Sequence, residues 1–468
     1  MSTQTEASKR TTLKSVNPAT GETVDTFQGM SDDEVAACIE EAHTQFLNWR
    51  KTDYALRAER LNRMAELLEE GKENLASLAT REMGKTHKEG VGEVEKCAWV
   101  CRYYAENAAE FLADETVETD LEKSLITYQP IGVVLAIMPW NFPYWQVFRF
   151  LAPALMAGNG ALLKHASNVS GCALAIENIF LRAGYPPGLF RTLVIPSEQV
   201  EKILENPLVR AATLTGSTGA GKAVAAKAGE HIKKTVLELG GSDPYLVLAD
   251  ADLDLAAEQC AKGRLINSGQ SCIAAKRFIV VADVYEDFVE RFKAVLASKK
   301  MGDPTDPDSD IGPQVNREAR DQLHKQVQDS LAKGARCLLG GEIPEGPGAF
   351  YPPTLLTEVV EGMPAYSEEL FGPVAVVIKA KDEDHAVEIA NDSEFGLGGG
   401  IFTRDIDKGL KLAREAIDTG AVTINGLTAS DPRMPFGGVK MSGYGRELSR
   451  FGIREFVNIK AVGVSKSK

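Results

Sequence analysis

The chain reads as a doubly wound α/β protein built in more than one part, and three observations predict this. From residue 131 onward, short apolar runs alternate with helical segments, the pattern of parallel strands joined by crossover helices. At 468 residues the chain exceeds the size at which a single core stops growing, so two or more subdomains are expected. A composition of 44% hydrophobic and 25% charged residues is that of an ordinary soluble globular protein, neither disordered nor membrane-embedded.

The elements follow in order. The start, MSTQTEASKR, is polar and lacks the apolar centre of a secretory signal, so a cytoplasmic protein with reduced cysteines is expected. Ser31 and Glu34 stand in capping-box spacing ahead of a stripe of Val35, Ile39, Ala42, Phe46 and Trp49, which predicts an amphipathic helix over 31–50. Similar periodicity predicts helices over 54–80 and 89–113, with their charges on outer faces. The alternating polar stretch 115–129 predicts an exposed strand pair, and the tail 453–464 has the same character and is expected to pair with it across a subunit interface. The uncharged run 131–148 is long enough for a membrane span. Pro139, Asn141 and Pro143 interrupt it, however, and predict a buried strand at 131–137, a loop, and a helix from about Tyr144. Strands at GALLKH, LFRTLVI and VRAATLTG complete one α/β series. A second series begins after Gly240-Gly241 with DPYLVLAD, a helix near 252–266, KRFIVVAD and a helix at 284–299, which puts a boundary near 239.

The formal charge of −14 repels phosphate backbones and excludes nucleic acid as a partner. Seven scattered cysteines suit neither a disulfide framework nor paired zinc ligands, and Cys97 and Cys101 are expected to be buried as small apolar groups.

The chemistry concentrates in a few motifs. Cys272 lies in NSGQSCIAAKR, where small neighbours leave room for a substrate and a backbone N–H can both lower the thiol pKa and hold an oxyanion. Glu238, between Leu237 and Leu239 and ahead of two glycines, is a carboxylate placed where the chain turns closely around something. A thiolate adds to a carbonyl carbon and a carboxylate readies water to cleave the resulting thioester, without a metal. Asn141 follows a buried strand, where its amide can donate to an oxyanion or cap the next helix. The run TLTGSTGAGK resembles a phosphate-binding loop, but Ala223 replaces the magnesium-binding hydroxyl, so dinucleotide binding fits better than nucleotide hydrolysis.

These pieces resemble the NAD(P)-dependent aldehyde dehydrogenase superfamily nearly end to end. PWNFP (139–143), LLKHAS (162–167), TGSTGAGK (215–222), LELGG (237–241), GQSC (269–272), EELFGPV (368–374) and PFGGVKMSGYGRE (435–447) occur in the family's order and spacing. The resemblance implies a Rossmann-type NAD(P)-binding domain over 1–114 and 130–239 and a catalytic α/β domain over 240–445. It also implies small oligomerisation strands at 115–129 and 446–468, in a homo-oligomer. Cys272 is then the nucleophile, Glu238 the general base, and Asn141 with the Cys272 N–H the oxyanion hole. Cofactor contacts fall to Trp140, Asn141, Lys164, His165, Ala166, Ser167, Gly216, Ser217, Leu239, Glu369 and Phe371.

Position 167 bears on the cofactor. NAD-preferring members often carry a glutamate there that accepts from the adenosine 2′-hydroxyl. Ser167 near Lys164 instead accommodates a 2′-phosphate, so NADP is expected, with NAD tolerated. WNFPYWQVFRF, KHASNVSGCA and DPRMPFGG are similar to the bacterial succinate-semialdehyde dehydrogenase subgroup. That implies a small carboxylated aldehyde as substrate, with Arg149 or Arg433 clamping its carboxylate; glutarate semialdehyde is the nearest alternative, and a non-catalytic binding or structural member a more distant one. Ala274 stands where some of that subgroup carry a second cysteine, which removes a disulfide switch with Cys272.

Overall fold

The computed structural model describes residues 11–466; the polar start at 1–10 and the last two residues lie outside them. The helix Asp32–Trp49 begins at the expected capping box. The Ser31 hydroxyl accepts from the Glu34 N–H at 3.2 Å and the Glu34 carboxylate accepts from the Ser31 N–H at 2.8 Å, so two otherwise orphaned donors are satisfied. Its stripe Val35, Ile39, Ala42, Phe46 and Trp49 is buried.

The long helices Tyr54–Met83 and His87–Phe111 pack along each other. Their charges are not all on outer faces, contrary to the periodicity. Glu82 and Glu93 are buried, and so is Lys85 in the turn between the two helices. Each has a partner that offsets its desolvation: Glu82 accepts from the Gly171 and Cys172 N–H groups at 3.1 and 2.9 Å, and Lys85 pairs with Glu93. Cys97 and Cys101 are fully buried in the apolar core, as expected.

A six-stranded sheet follows. Its order is Gly443–Tyr444, Lys234–Glu238, Val209–Thr215, Val133–Met138, Gly160–His165 and Phe190–Thr192, all parallel except the first. Side chains of Val133–Met138 alternate between two helical layers. Val133 and Leu135 pack with Val35, Ile39 and Phe46, whereas Val134, Ala136 and Met138 join the core around Leu151. Burial on both faces is what a parallel sheet requires, and each such valine or leucine contributes about 1.5–3 kcal/mol. The chain runs outward from Val133–Met138 to Gly160–His165 and Phe190–Thr192, then returns to the other side at Val209–Thr215. The switch point therefore opens beyond Met138 and Thr215, where such sheets bind ligands.

Four residues separate Glu238 from the first strand of a seven-stranded sheet, Asp243–Val247. That sheet is parallel apart from the edge strand Arg336–Leu339 and carries Ala275–Val281 near its centre. The expected strands and helices of both series form, and Gly443–Tyr444 crosses over to pair with Leu237–Glu238 of the other sheet.

The strand Val457–Val464 pairs antiparallel with Lys123–Pro130, from Val457 opposite Pro130 to Val464 opposite Lys123. This corrects one expectation: the two segments do pair, but within one chain. The short helix Ser449–Ile453 delivers the tail next to Lys123–Pro130, so no second copy is needed to satisfy that ladder. No helix among the described residues is long and apolar enough to cross a membrane.

Candidate active site

Cys272 sits at the end of a buried turn with unusual backbone. Asn267 (φ 53°) and Ser268 (φ 56°) are both left-handed, which costs roughly 1–2 kcal/mol each for residues with a β-carbon. Polar contacts hold them there. The Asn267 N–H donates to Glu89 at 2.7 Å, its side-chain amide donates to the Asn141 carbonyl at 2.8 Å, and the Ser268 hydroxyl donates to the Gly312 carbonyl at 3.1 Å. Gly269 (φ 78°) must be glycine, because a β-carbon there would run into the backbone of Gly372 and Pro373. On the other side, a β-carbon on Gly241 would stand 2.8 Å from the Cys272 carbonyl oxygen. The LELGG, GQSC and EELFGPV motifs are thus packed backbone against backbone.

Buried Lys276 donates to the carbonyls of Ser271 at 3.0 Å and Cys272 at 2.7 Å. In a trans peptide the N–H points opposite to the carbonyl, so the Cys272 N–H is turned away from Lys276, and it has no acceptor among the described residues. Asn141, also buried, spends one amide N–H on the Gln270 carbonyl at 3.1 Å and keeps the other. It does not cap the following helix. The Glu93 carboxylate does, accepting from the Tyr144 and Trp145 N–H groups at 2.8 and 2.9 Å. Asn141 and the Cys272 N–H are therefore two free donors on adjoining segments, the composition of an oxyanion hole.

The electrostatics differ from the expectation for the thiol. Burial pushes Cys272 up to about 12, the nearby Arg149 and Lys276 charges pull it down, and Glu369 and Glu238 push it further up. Desolvation wins over the backbone donors, so the resting group is a thiol. Glu238 ends its strand with both carboxylate oxygens buried and accepting no hydrogen bond among the described residues. Burial, then the neighbouring Glu447 charge, raises its pKa well above the usual carboxylate range, against the pull of Arg149. A buried carboxylate without partners is a strong base held in reserve.

Seven of the expected cofactor residues line one cavity of about 220 Å³ together with Cys272. Trp140 and Asn141 come from the end of Val133–Met138, Gly216 and Ser217 from the end of Val209–Thr215, so the cavity lies at the switch point. Leu239, Glu369 and Phe371 close it, with the Phe371 ring edge-on to Trp140 at 5.8 Å. Ser217 caps the helix Thr218–Glu230, whose N-terminus faces the same way as the strand ends and suits a pyrophosphate. Lys164, His165, Ala166 and Ser167 stand apart from this lining. The buried Lys164 ammonium donates only to the Ser197 hydroxyl, at 3.3 Å, and has no carboxylate in ion-pair range among the described residues, which suits a further phosphate. Residues Ala166 and Ser167 continue directly from its strand. His165 is used within the protein: its Nδ1 accepts from the Ala166 N–H at 2.9 Å, which leaves Nε2–H to donate to the Pro143 carbonyl at 2.8 Å. The ring therefore braces the PWNFP loop.

A second cavity of about 230 Å³ also reaches Cys272, between the helix His87–Phe111, the helix Trp145–Ala157 and residues 428–436. Arg149 lines it, but its guanidinium is paired with Glu447, donates to Thr215 at 3.3 Å and lies over the Phe436 ring at 4.6 Å. The structure does not bring Arg433 to this cavity. Asp431, two residues before it, captures its exposed guanidinium at 2.6 Å beside the Trp99 ring. Lys96, Lys276, Ser430 and Glu447 escaped the sequence reading. Glu89, Glu93 and Lys96 at helical spacing formed a polar stripe beside an apolar one, a signal indistinguishable from a solvated face until the partner helix is placed.

Comparison with known proteins agrees with this arrangement. Residues 4–462 match the aldehyde dehydrogenase family. The chain is 53% identical over 456 residues to succinate-semialdehyde dehydrogenase (NADP+) 1 of Mycobacterium tuberculosis, covering 97% of this chain and 100% of that one. It is 50% identical over 453 residues to a probable succinate-semialdehyde dehydrogenase (NADP+) of Synechocystis, covering 97% and 100% respectively. Among solved structures, the succinic semialdehyde dehydrogenase of Streptococcus pyogenes in complex with NADP+ superposes with a TM-score of 0.95 at 39% identity, covering 97% of this chain and 100% of that one. With a thiol at the meeting of two cavities, free donors beside it and a match along almost its whole length, the chain belongs to the aldehyde dehydrogenase family.

Proposed function

We propose that this protein oxidises succinate semialdehyde to succinate with NADP, through a thioester on Cys272. The observation that carries the reading is the single half-buried thiol shared by the two cavities, one suited to a dinucleotide and the other to a small aldehyde. The names of the relatives and the uncompensated Lys164 charge near Ser167 support the choice of NADP over NAD.

The chain's own groups account for the steps. Cys272 loses its proton and its sulfur adds to the aldehyde carbon, and the new oxyanion accepts from the Asn141 amide and the Cys272 N–H. Trp140, Gly216, Ser217, Leu239, Glu369 and Phe371 would hold a nicotinamide dinucleotide, which would supply the acceptor for two electrons and the hydrogen of the former aldehyde carbon. Sulfur is then left in a thioester. Glu238 takes a proton from water as the water oxygen adds to the acyl carbon, the C–S bond breaks, and acid and thiolate separate.

In this reading residues 1–114 with 130–239 carry the cofactor and 240–445 the nucleophile. The protein works in the cytoplasm as a homo-oligomer; the open edge of Val457–Val464, with Ile459, Val462 and Val464 exposed, supports assembly there. The test is a panel of aldehydes with both nicotinamide cofactors, followed by absorbance of the reduced product. The expected result is the highest kcat/KM for succinate semialdehyde with NADP. A higher value for an uncharged aldehyde, for glutarate semialdehyde or for NAD overturns the corresponding part.

A further inference from the structure

Lys276 carries a charge where charge is costly. It is the second residue of Ala275–Val281, a strand inside the seven-stranded sheet, and its side chain is only 2% exposed. The ammonium donates to the carbonyls of Ser271 at 3.0 Å and Cys272 at 2.7 Å, and lies 3.4 Å from the Ala274 carbonyl. Its one carboxylate in ion-pair range among the described residues is Glu369, at 3.4 Å. The same Glu369 oxygen accepts from the Gly241 N–H at 3.0 Å, so the ammonium is held between a wall of the cofactor cavity and the nucleophile turn.

The two carbonyls that Lys276 grips belong to the two peptides flanking the Cys272 α-carbon. The Ser271 carbonyl also accepts from the Ala274 N–H at 3.1 Å, whereas the Cys272 carbonyl has no other donor among the described residues. A peptide is planar, so holding the Ser271 oxygen fixes the direction of the Cys272 N–H on the opposite side. Asn141 is tied to the same turn, through its bond to the Gln270 carbonyl at 3.1 Å. The convergence of the Asn141 amide and the Cys272 N–H on one point therefore depends on those carbonyls staying where they are. Without the ammonium, the Cys272 carbonyl is left without a partner and its peptide is drawn to turn in search of one.

We infer that Lys276 is a positioning residue of the oxyanion hole: by gripping both carbonyls beside Cys272 it aims the Cys272 N–H at the point where the aldehyde oxygen gains charge. The inference rests on the reading of Cys272 as the nucleophile and deepens it. Lys276 touches neither substrate nor reacting atoms and acts through the backbone. Its charge has a separate effect, since with Arg149 it pulls the Cys272 thiol down against the upward push of burial. A test must therefore separate aiming from charge.

The test compares two reactions of the same sulfur in the wild type and Lys276→Met, which keeps an unbranched stem and removes the ammonium. Aldehyde oxidation with NADP passes through an oxyanion. Alkylation by iodoacetamide forms a C–S bond and expels iodide at a saturated carbon, with the thiol proton going to buffer, and passes through none. In Lys276→Met the kcat/KM for succinate semialdehyde should fall by about a hundredfold, as for a misdirected oxyanion donor. Alkylation, followed by mass spectrometry on the peptide containing Cys272, should fall by about tenfold or less, because only the charge acts there. The ratio of oxidation to alkylation should thus drop by more than about fivefold; a ratio within about fivefold of the wild type, whether both rates hold or fall together, overturns the positioning role. Where Lys276→Met does not fold, Lys276→Gln, whose shorter amide cannot span both carbonyls, is read by the same ratio. If complete alkylation of Cys272 leaves wild-type oxidation intact, the nucleophile reading fails instead, so the two failures are distinguishable.

Discussion

At the scale of single residues, burial sets the chemistry more than sequence neighbours do. Cys272 and Glu238 are both pushed toward their protonated forms, and each is useful only after losing a proton to its surroundings. His165 shows the same effect on stability. Burial lowers its pKa from 6.5 to about 4, while both ring nitrogens are engaged with the neutral ring. The folded state therefore binds fewer protons than the unfolded state between those values. The stability it contributes is present above pH 6.5 and is lost as pH falls toward 4, by about 3 kcal/mol at most. Denaturant unfolding should show this loss in the wild type and a shallower one in His165→Gln. An equal pH slope in both proteins would assign the acid sensitivity elsewhere.

At the scale of elements, strands and helices were legible wherever periodicity and caps coincide, as at Ser31 and Glu34 ahead of the Asp32–Trp49 stripe. The start of a second strand series after Gly240-Gly241 was equally legible, because two glycines follow a strand that ends in Glu238 and the next strand, Asp243–Val247, joins another sheet. The left-handed pair Asn267 and Ser268 was not, since neither residue type demands that backbone and only distant partners at Glu89, Asn141 and Gly312 stabilise it. Nor were Lys96 and Glu93: a charge on a helix looks solvated until another helix covers it. Gly269→Ala tests the close packing of the nucleophile turn. The β-carbon meets the Gly372 and Pro373 backbone and forces an unfavourable φ, which should cost about 1–3 kcal/mol of stability and displace Cys272 enough to lower kcat. Unchanged denaturant midpoint and kcat would show that the turn has slack.

At the scale of the molecule, the chain passes from one sheet to the other at Leu239–Ser242, and the switch point of the first lies beside the cysteine turn that precedes a strand of the second. The resemblance in motif order suggested Cys272, Glu238 and Asn141 as the proposed catalytic trio, and the structure brings Asn141 and Cys272 to one cavity. The proposed contact to a 2′-phosphate lies farther out, where Lys164 meets no carboxylate in ion-pair range among the described residues. Ser167→Glu should introduce that carboxylate and repel a 2′-phosphate, shifting the NADP to NAD ratio of kcat/KM toward NAD by about tenfold or more. An unchanged ratio would place the phosphate elsewhere.

The central claim is that the substrate becomes bonded to Cys272 and is released by water that Glu238 deprotonates. It is tested most directly by mass spectrometry of Glu238→Gln mixed with succinate semialdehyde and NADP. Removing the base should slow thioester hydrolysis by a hundredfold or more, roughly, while the first oxidation still occurs. The expected result is one equivalent of reduced cofactor and a succinyl increment on the peptide containing Cys272. Reduced cofactor formed with every cysteine peptide unmodified would contradict the account.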